Sequence, residues 1–166
     1  MHKDKLPEVI SSAEKPFVAM SIGVPGSGKS TVLSELSETA GVTRINPDQI
    51  REELTGSEID QSMNKEVWKE TYRRVQESLG RGESVIVDAT HAEAFRRPET
   101  VKMYRDMGAK SVLAFNFTVG LETAKERNRG RTRVVPDHAI EKMHQSLTEN
   151  PASTDEGFDE VIEVDE

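Results

Sequence analysis

The sequence predicts an α/β fold, a three-layer sandwich in which helices cover both faces of a parallel sheet, and three observations predict it. Five short apolar runs, at 16–24, 42–46, 84–90, 111–119 and 158–164, read as strands. Helical patterns separate them, and parallel neighbours joined by helical crossovers must bury both sheet faces. A glycine-rich turn stands between the first strand and the first long helix, where such folds place a ligand.

Residues 1–15 are polar and unpatterned, and are expected to form a flexible leader before a single domain at 16–166. The run 16–24 carries Pro before it and a Gly-rich turn after it, the mark of a buried strand. From about Lys29 a helix follows, with Val32, Leu33, Leu36 and Ala40 on one face and Gly41 as its stop. The short strand 42–46 runs into Asn46-Pro47, where Asn caps a helix and Pro fits its first turn. Met63, Val67, Thr71, Val75 and Leu79 recur at four-residue steps, so 63–79 is an amphipathic helix ended by Gly80. Trp68 and Tyr72 on that helix read as packing residues. After the strand at 84–90, a helix runs from Pro98 to Met107, then the strand at 111–119, then helices from Leu121 to about Asn128 and from Pro136 to Leu147. The alternating run 158–164 closes the sheet as an edge strand with a solvated acidic tail.

Composition excludes several function classes. The 166 residues contain no Cys, so thiol catalysis, disulfides and Cys metal sites are absent. The four His show no metal-ligand spacing. No run approaches the ~20 apolar residues of a membrane span, and the start lacks a signal-peptide core. A soluble, cytoplasmic protein is the expectation. Net charge is −8, yet eight acids and no Lys or Arg lie between Glu149 and Glu166. The body before them is neutral overall and carries two basic clusters, Arg96–Lys110 and Lys125–Arg133. An anionic partner is therefore compatible with an acidic chain.

Gly23-Val24-Pro25-Gly26-Ser27-Gly28-Lys29-Ser30, followed by Thr31, fits G-x-x-x-x-G-K-[ST] in the strand-to-helix context the motif requires. Its glycines let the backbone curl, so that N–H groups and the helix N-terminus face phosphate oxygens. Lys29 would reach the outer phosphates, and the Ser30 hydroxyl is suited to Mg²⁺. A nucleoside triphosphate site follows. Val85-Ile86-Val87-Asp88 is an apolar strand ending in a carboxylate, the form that holds Mg²⁺ beside such a loop. Asp48 and Arg51 share one face of the helix after the second strand. A carboxylate there can take a proton from an attacking hydroxyl while Arg51 grips an anion, although a simple ion pair is the alternative. The arginines at 127, 129, 131 and 133 alternate without an acid between them, as in a lid that closes over a phosphate. Arg96-Arg97 fit either a dock for substrate phosphates or an exposed pair before Pro98. His91 fits either a ligand contact or a cap.

Together GVPGSGKST, RINPDQIREEL, VIVDATH and RNRGRTRVVP resemble the P-loop kinase family that includes phage-type 5′-hydroxyl polynucleotide kinases. The resemblance runs from Phe17 onward through nearly the whole chain. It implies a P-loop NTPase fold of about five parallel strands with the phosphate-loop strand central, plus an Arg-rich lid at about 121–148. It implies an enzyme that moves the γ-phosphate of ATP, with Mg²⁺, to the 5′-hydroxyl of DNA or RNA ends. Asp48 would be the general base, Lys29 and Arg131 would act on the transferring phosphate, and Gly23, Pro25, Gly26, Ser27, Gly28, Ser30, Thr31 and Arg127 would line the ATP site. Arg51, Thr90, Arg96 and Arg97 would meet the acceptor, and Ser30 with Asp88 would hold the metal. Two departures stand out: His91 replaces the usual Asn after D-A-T, and no D-x-D-G-T phosphatase motif is present. The rival readings are a small-molecule kinase for a nucleoside, sugar or antibiotic, and a nucleotide-dependent switch or ATPase.

Overall fold

The computed structural model describes residues 1–165. Five strands, β1 (Phe17–Ile22), β2 (Thr43–Ile45), β3 (Val85–Val87), β4 (Ser111–Phe117) and β5 (Glu160–Val164), form one sheet in the order β2-β3-β1-β4-β5. Every pairing is parallel, and β1 is central, as the resemblance implied. The α/β P-loop fold is therefore present.

The two-residue period of the strands sorts their side chains into two cores. On one side Phe17 and Ala19 join Leu113, Phe115 and Phe117 against α1 (Leu6–Ser12) and α2 (Lys29–Ala40), through Leu6, Ile10, Val32, Leu33 and Leu36. On the other, Val18, Met20 and Ile22 join Val85, Val87, Val112 and Ala114. That side is covered by α3 (Pro47–Thr55), α4 (Asn64–Gly80) and α5 (Arg97–Asp106), through Ile50, Val67, Val75, Val101 and Tyr104. All six residues of β1 are buried, which accounts for its unbroken apolar run. The helices α6 (Leu121–Arg129) and α7 (Asp137–Glu149) meet the loop after β1 in a small third cluster of Val24, Ala124 and Ile140.

The expected flexible leader is corrected by the structure. Lys3–Lys5 form a 3₁₀ turn and α1 follows, with Leu6 and Ile10 buried in the core. The Lys3 amide donates to the Asp165 carbonyl at 3.2 Å, and the Met1 ammonium donates to the Glu163 carbonyl at 2.8 Å. Leu6 and Ile10, four apart and joined by Val9 and Ala13, seat about two helical turns against the core.

Because all strands run the same way, their carboxyl ends open on one edge. The loop after β1, the Asp48 turn after β2 and Asp88–Thr90 after β3 gather there. The Gly23 amide donates to the Thr90 carbonyl at 3.1 Å, and the Asp88 amide to the Ile45 carbonyl at 2.8 Å, so the three segments are cross-tied.

Candidate active site

The loop 23–28 turns into α2 through Gly28, whose φ of 88° is left-handed, and no side chain caps the helix. The first N–H groups of α2 are thus left without a side-chain acceptor beside a cleft lined by Gly26, Gly28, Lys29, Ser30, Thr31, Arg127 and Arg131. Gly26 has a second constraint. A Cβ there would lie 2.3 Å from the Ala124 carbonyl oxygen, so only glycine lets α6 press against the loop. That contact brings Arg127 and Arg131 to the cleft. Gly23 and Ser27 do not line this cleft but pack against each other, a Cβ at Gly23 falling 2.8 Å from the Ser27 hydroxyl, which is buried with no hydrogen-bond partner among the described residues.

Lys29 is buried, and its ammonium donates to the Val24 carbonyl at 3.3 Å. Burial pulls its pKa down to about 8; the nearby Asp88 opposes the shift, and Arg131 adds to it. Among the described residues the buried Lys29 ammonium has one acceptor, the neutral Val24 carbonyl, and so is poised for an anion.

A second cleft, of about 260 Å³, opens on the far side of Lys29, with Pro25, Asp48, Arg51, Asp88, Thr90 and Arg133 among its walls. Lys29, Ser30 and Arg131 line both clefts, so they form the divide between them. Asp48 sits in the first turn of α3, held by Asn46, whose side chain accepts from the Asp48 amide at 2.9 Å. Three arginines converge on its carboxylate: Arg51 at 2.5 Å, Arg133 at 2.6 Å and Arg131 at 3.9 Å. Arg51 is itself buried and braced by Asn64, whose Oδ1 accepts from Nη2 at 3.1 Å. Arg131 Nη1 is buried with no hydrogen-bond partner among the described residues, which leaves a donor unused at the divide.

Asp88 lines the same cleft and is buried, but Arg44 on β2 donates to its Oδ2 from Nε at 2.9 Å and from Nη2 at 2.6 Å. Ser30 and Asp88 are hard oxygen donors on one cleft, a set that fits Mg²⁺. Among the described residues no cluster of three or more His or acidic side chains could hold a metal alone. Such a pair suits an ion that takes most of its ligands from phosphate and water.

The structure brings together most of the residues singled out from the sequence and corrects others. Arg97 does not face the cleft. Its side chain is 1% exposed, donates to Glu156 at 2.9 Å, and also reaches the carbonyls of Asn150 and His91. It is a strut between the loop after β3 and the chain after α7. Arg96 points to solvent, paired with Glu93, its guanidinium 5.4 Å from the Phe95 ring centroid. Neither lines the cleft, whereas Thr90 does. His91 has φ 45° and lays Nδ1 2.6 Å from the Ser21 carbonyl, so it is a half-buried bracket whose buried Nε2 has no hydrogen-bond partner among the described residues. Arg129 pairs with Asp137 on the surface at 3.3 Å. Sequence reasoning missed Arg44 and Asn64, and left Arg133 a lid arginine with no link to Asp48. Arg133 had a signal, the two-residue spacing from Arg131, while Arg44 and Asn64 had none within their own segments. Trp68, read as a packing residue, lines the Asp48 cleft.

Comparison with known proteins bears on this geometry. A family model described as an AAA domain matches residues 18–150. A chain of the Pnkp1/Rnl/Hen1 RNA repair complex is 27% identical, with a TM-score of 0.73 over 89% of this chain and 48% of that one. This chain thus spans about half the length of that relative. A gluconokinase from Sinorhizobium meliloti is 20% identical with a TM-score of 0.54, covering 91% of this chain and 83% of that one. A shikimate kinase from Acinetobacter baumannii is 19% identical with a TM-score of 0.53, covering 96% and 88%. The last two share the fold. No helix among the described residues is long and apolar enough to cross a membrane. With a phosphate loop on the central strand, a carboxylate facing it across a divided cleft and a family model spanning most of its length, the chain belongs to the AAA domain family and has the P-loop kinase fold.

Proposed function

We propose that the chain is an ATP-dependent kinase that transfers the γ-phosphate of ATP to the 5′-hydroxyl of DNA or RNA ends. The observation that carries this reading is the divided cleft: Lys29, Ser30 and Arg131 stand between a phosphate-loop side and an Asp48 side. A switch needs no second cleft with a carboxylate aimed into it. A phosphotransferase needs one to bring the acceptor in line with the donor.

On the donor side the backbone N–H groups of 26–31 and the Lys29 ammonium bind the phosphates, and Arg127 closes the cleft from α6. Asp48 accepts the proton of the attacking hydroxyl. Arg131 and Arg133 compensate charge on the transferring group, and Arg51 meets an acceptor phosphate. In the structure these arginines pair with Asp48, so phosphates entering the cleft would compete with the carboxylate for them. Mg²⁺, held by Ser30 and Asp88 and otherwise by phosphate and water, would supply neutralisation of the phosphate charge. The kinship with a chain of an RNA repair complex favours the polynucleotide acceptor.

The second reading, a small-molecule kinase, is favoured by the modest cleft of about 260 Å³ and by the acidic surface after Glu149. Incubation with γ-labelled ATP and a panel of 5′-hydroxyl DNA and RNA oligonucleotides, free nucleosides, gluconate and shikimate separates the two. Label on the oligonucleotides with kcat/KM well above that of any free nucleoside is expected. Label confined to a small molecule would overturn the polynucleotide reading.

A further inference from the structure

Just past β3, Asp88 has a side chain 1% exposed, and its two carboxylate oxygens are not used alike. Arg44 donates to Oδ2 from Nε at 2.9 Å and from Nη2 at 2.6 Å, so the pair leaves Oδ1 to the cleft that Asp88 lines. Sheet register builds this contact. Arg44 stands opposite Ile86 in the parallel ladder of β2 and β3, and Asp88 is two residues beyond Ile86, hence on the same face. The Asp88 amide continues the ladder by donating to the Ile45 carbonyl at 2.8 Å. That face belongs to α2, since Ile86 packs with Val32, Leu33 and Leu36. The helix begins with Lys29 and Ser30, which line the same cleft as Asp88. No ion pair joins Lys29 to Asp88 among the described residues, and the Lys29 ammonium donates to the Val24 carbonyl. A buried ion pair is a weak source of stability, because desolvation offsets much of the attraction. What Arg44 does achieve is to fix how the carboxylate is turned.

We propose that Arg44 is a positioning residue for the metal carboxylate: by taking Oδ2 it leaves Oδ1 as the oxygen that serves the Mg²⁺ of the bound nucleotide. This rests on the ATP·Mg²⁺ side of the proposed function and deepens it. A hydrogen bond to a ligating carboxylate orients it, and its loss costs roughly 10–100-fold in metal affinity. The opposite role would be that of a rival cation which Mg²⁺ must displace. A guanidinium that claims a whole carboxylate spreads its fork over both oxygens. Arg44 instead sets two donors on one oxygen, the form that shares the group with a second cation. The two roles differ in sign: removing a positioning residue weakens the metal, and removing a rival strengthens it.

The test titrates the full chain with ADP by calorimetry, once with Mg²⁺ and once with EDTA. The ratio of the two affinities reads the metal without any turnover. Arg44→Met keeps the bulk of the stem and is expected to cut that ratio by about tenfold or more. Asp88→Asn is expected to cut it as well, and the double variant to fall no further than Asp88→Asn alone, because Arg44 acts through Asp88. Should Arg44→Met fail to fold, Arg44→Lys takes its place; it keeps the charge without the planar fork, and the ratio is expected to fall in the same direction. A ratio equal to wild type in the folded variant would overturn the proposal and leave a structural pair. A ratio above wild type would overturn it in favour of a rival cation. A further fall in the double variant would overturn the route through Asp88. Each of these leaves the kinase reading standing. A wild-type chain that binds ADP equally with and without Mg²⁺ would overturn the proposal and count against the donor side of that reading.

Discussion

Arg133 reaches back 85 residues along the chain to set Nη1 2.6 Å from Asp48 Oδ1. The same oxygen accepts from Arg51 Nη1 at 2.5 Å. The arginine-rich turn between α6 and α7 is thus latched to the first turn of α3, and the latch is made of the two groups that phosphotransfer would have to separate.

Asp48→Asn keeps the size and the helix-start geometry while removing the proton acceptor. Transfer should fall by roughly 10²–10⁴, the usual range for a general base. ATP affinity, measured by calorimetry, should change little because Asp48 lines only the second cleft. If the pair with Arg51 were merely structural, Asp48→Asn combined with Arg51→Ala would restore near-wild-type transfer.

Lys29→Ala should abolish transfer to every acceptor while far-ultraviolet circular dichroism stays unchanged. Loss of a charge clamp in a water-poor site costs about 3 kcal/mol or more of transition-state stabilisation. Retention of over a tenth of wild-type kcat would count against the donor site.

The buried Arg97 pairs with the part-buried Glu156, their side-chain exposures being 1% and 15%. Arg97→Met takes the Arg97 donor from two carbonyls and from the part-buried Glu156, which keeps only the Ser153 amide, and should destabilise the fold by about 2–4 kcal/mol in denaturant unfolding. Where the variant remains folded, the acceptor KM should be unchanged, because Arg97 faces away from the cleft. A raised KM with unchanged stability would return Arg97 to the substrate site.

Burial lowers the His91 pKa to about 4, and a contact with the Ser21 carbonyl opposes the shift. The unfolded chain binds a proton near pH 6.5, so below that value the unfolded state gains protons that the folded state refuses. The contribution is complete above pH 6.5 and is lost as pH falls toward 4. Against His91→Asn, which tolerates the positive φ, the wild type should lose on the order of 2 kcal/mol across that window. Thermal melts of both proteins at pH 4, 5, 6 and 7 measure the difference; parallel curves would sink the assignment.

Local signals carried the parts that the sequence by itself determined. The phosphate loop, the Asn46 cap, the Gly41 stop and the parallel alternation each depend on residues within a few positions of one another, and they specify backbone geometry wherever the chain goes. The central place of β1 was implied only by the resemblance, because β3 is buried along its whole length too and an unbroken apolar run does not by itself choose the central strand. Only the tertiary structure decided which charge meets which. Arg96 and Arg97 are adjacent and chemically alike, yet one is at the surface and the other is a buried strut, because the turn from 3₁₀ to α5 aims one outward and the other at Glu156. Arg44 finds Asp88, and Arg133 finds Asp48, across separations of 44 and 85 residues that no local periodicity spans. Leu6 and Ile10 could not be told from a mobile leader until the sheet offered them an apolar face. Pairings of this kind depend on sheet order and on the angle at which α6 meets Gly26, and those are properties of the packed molecule.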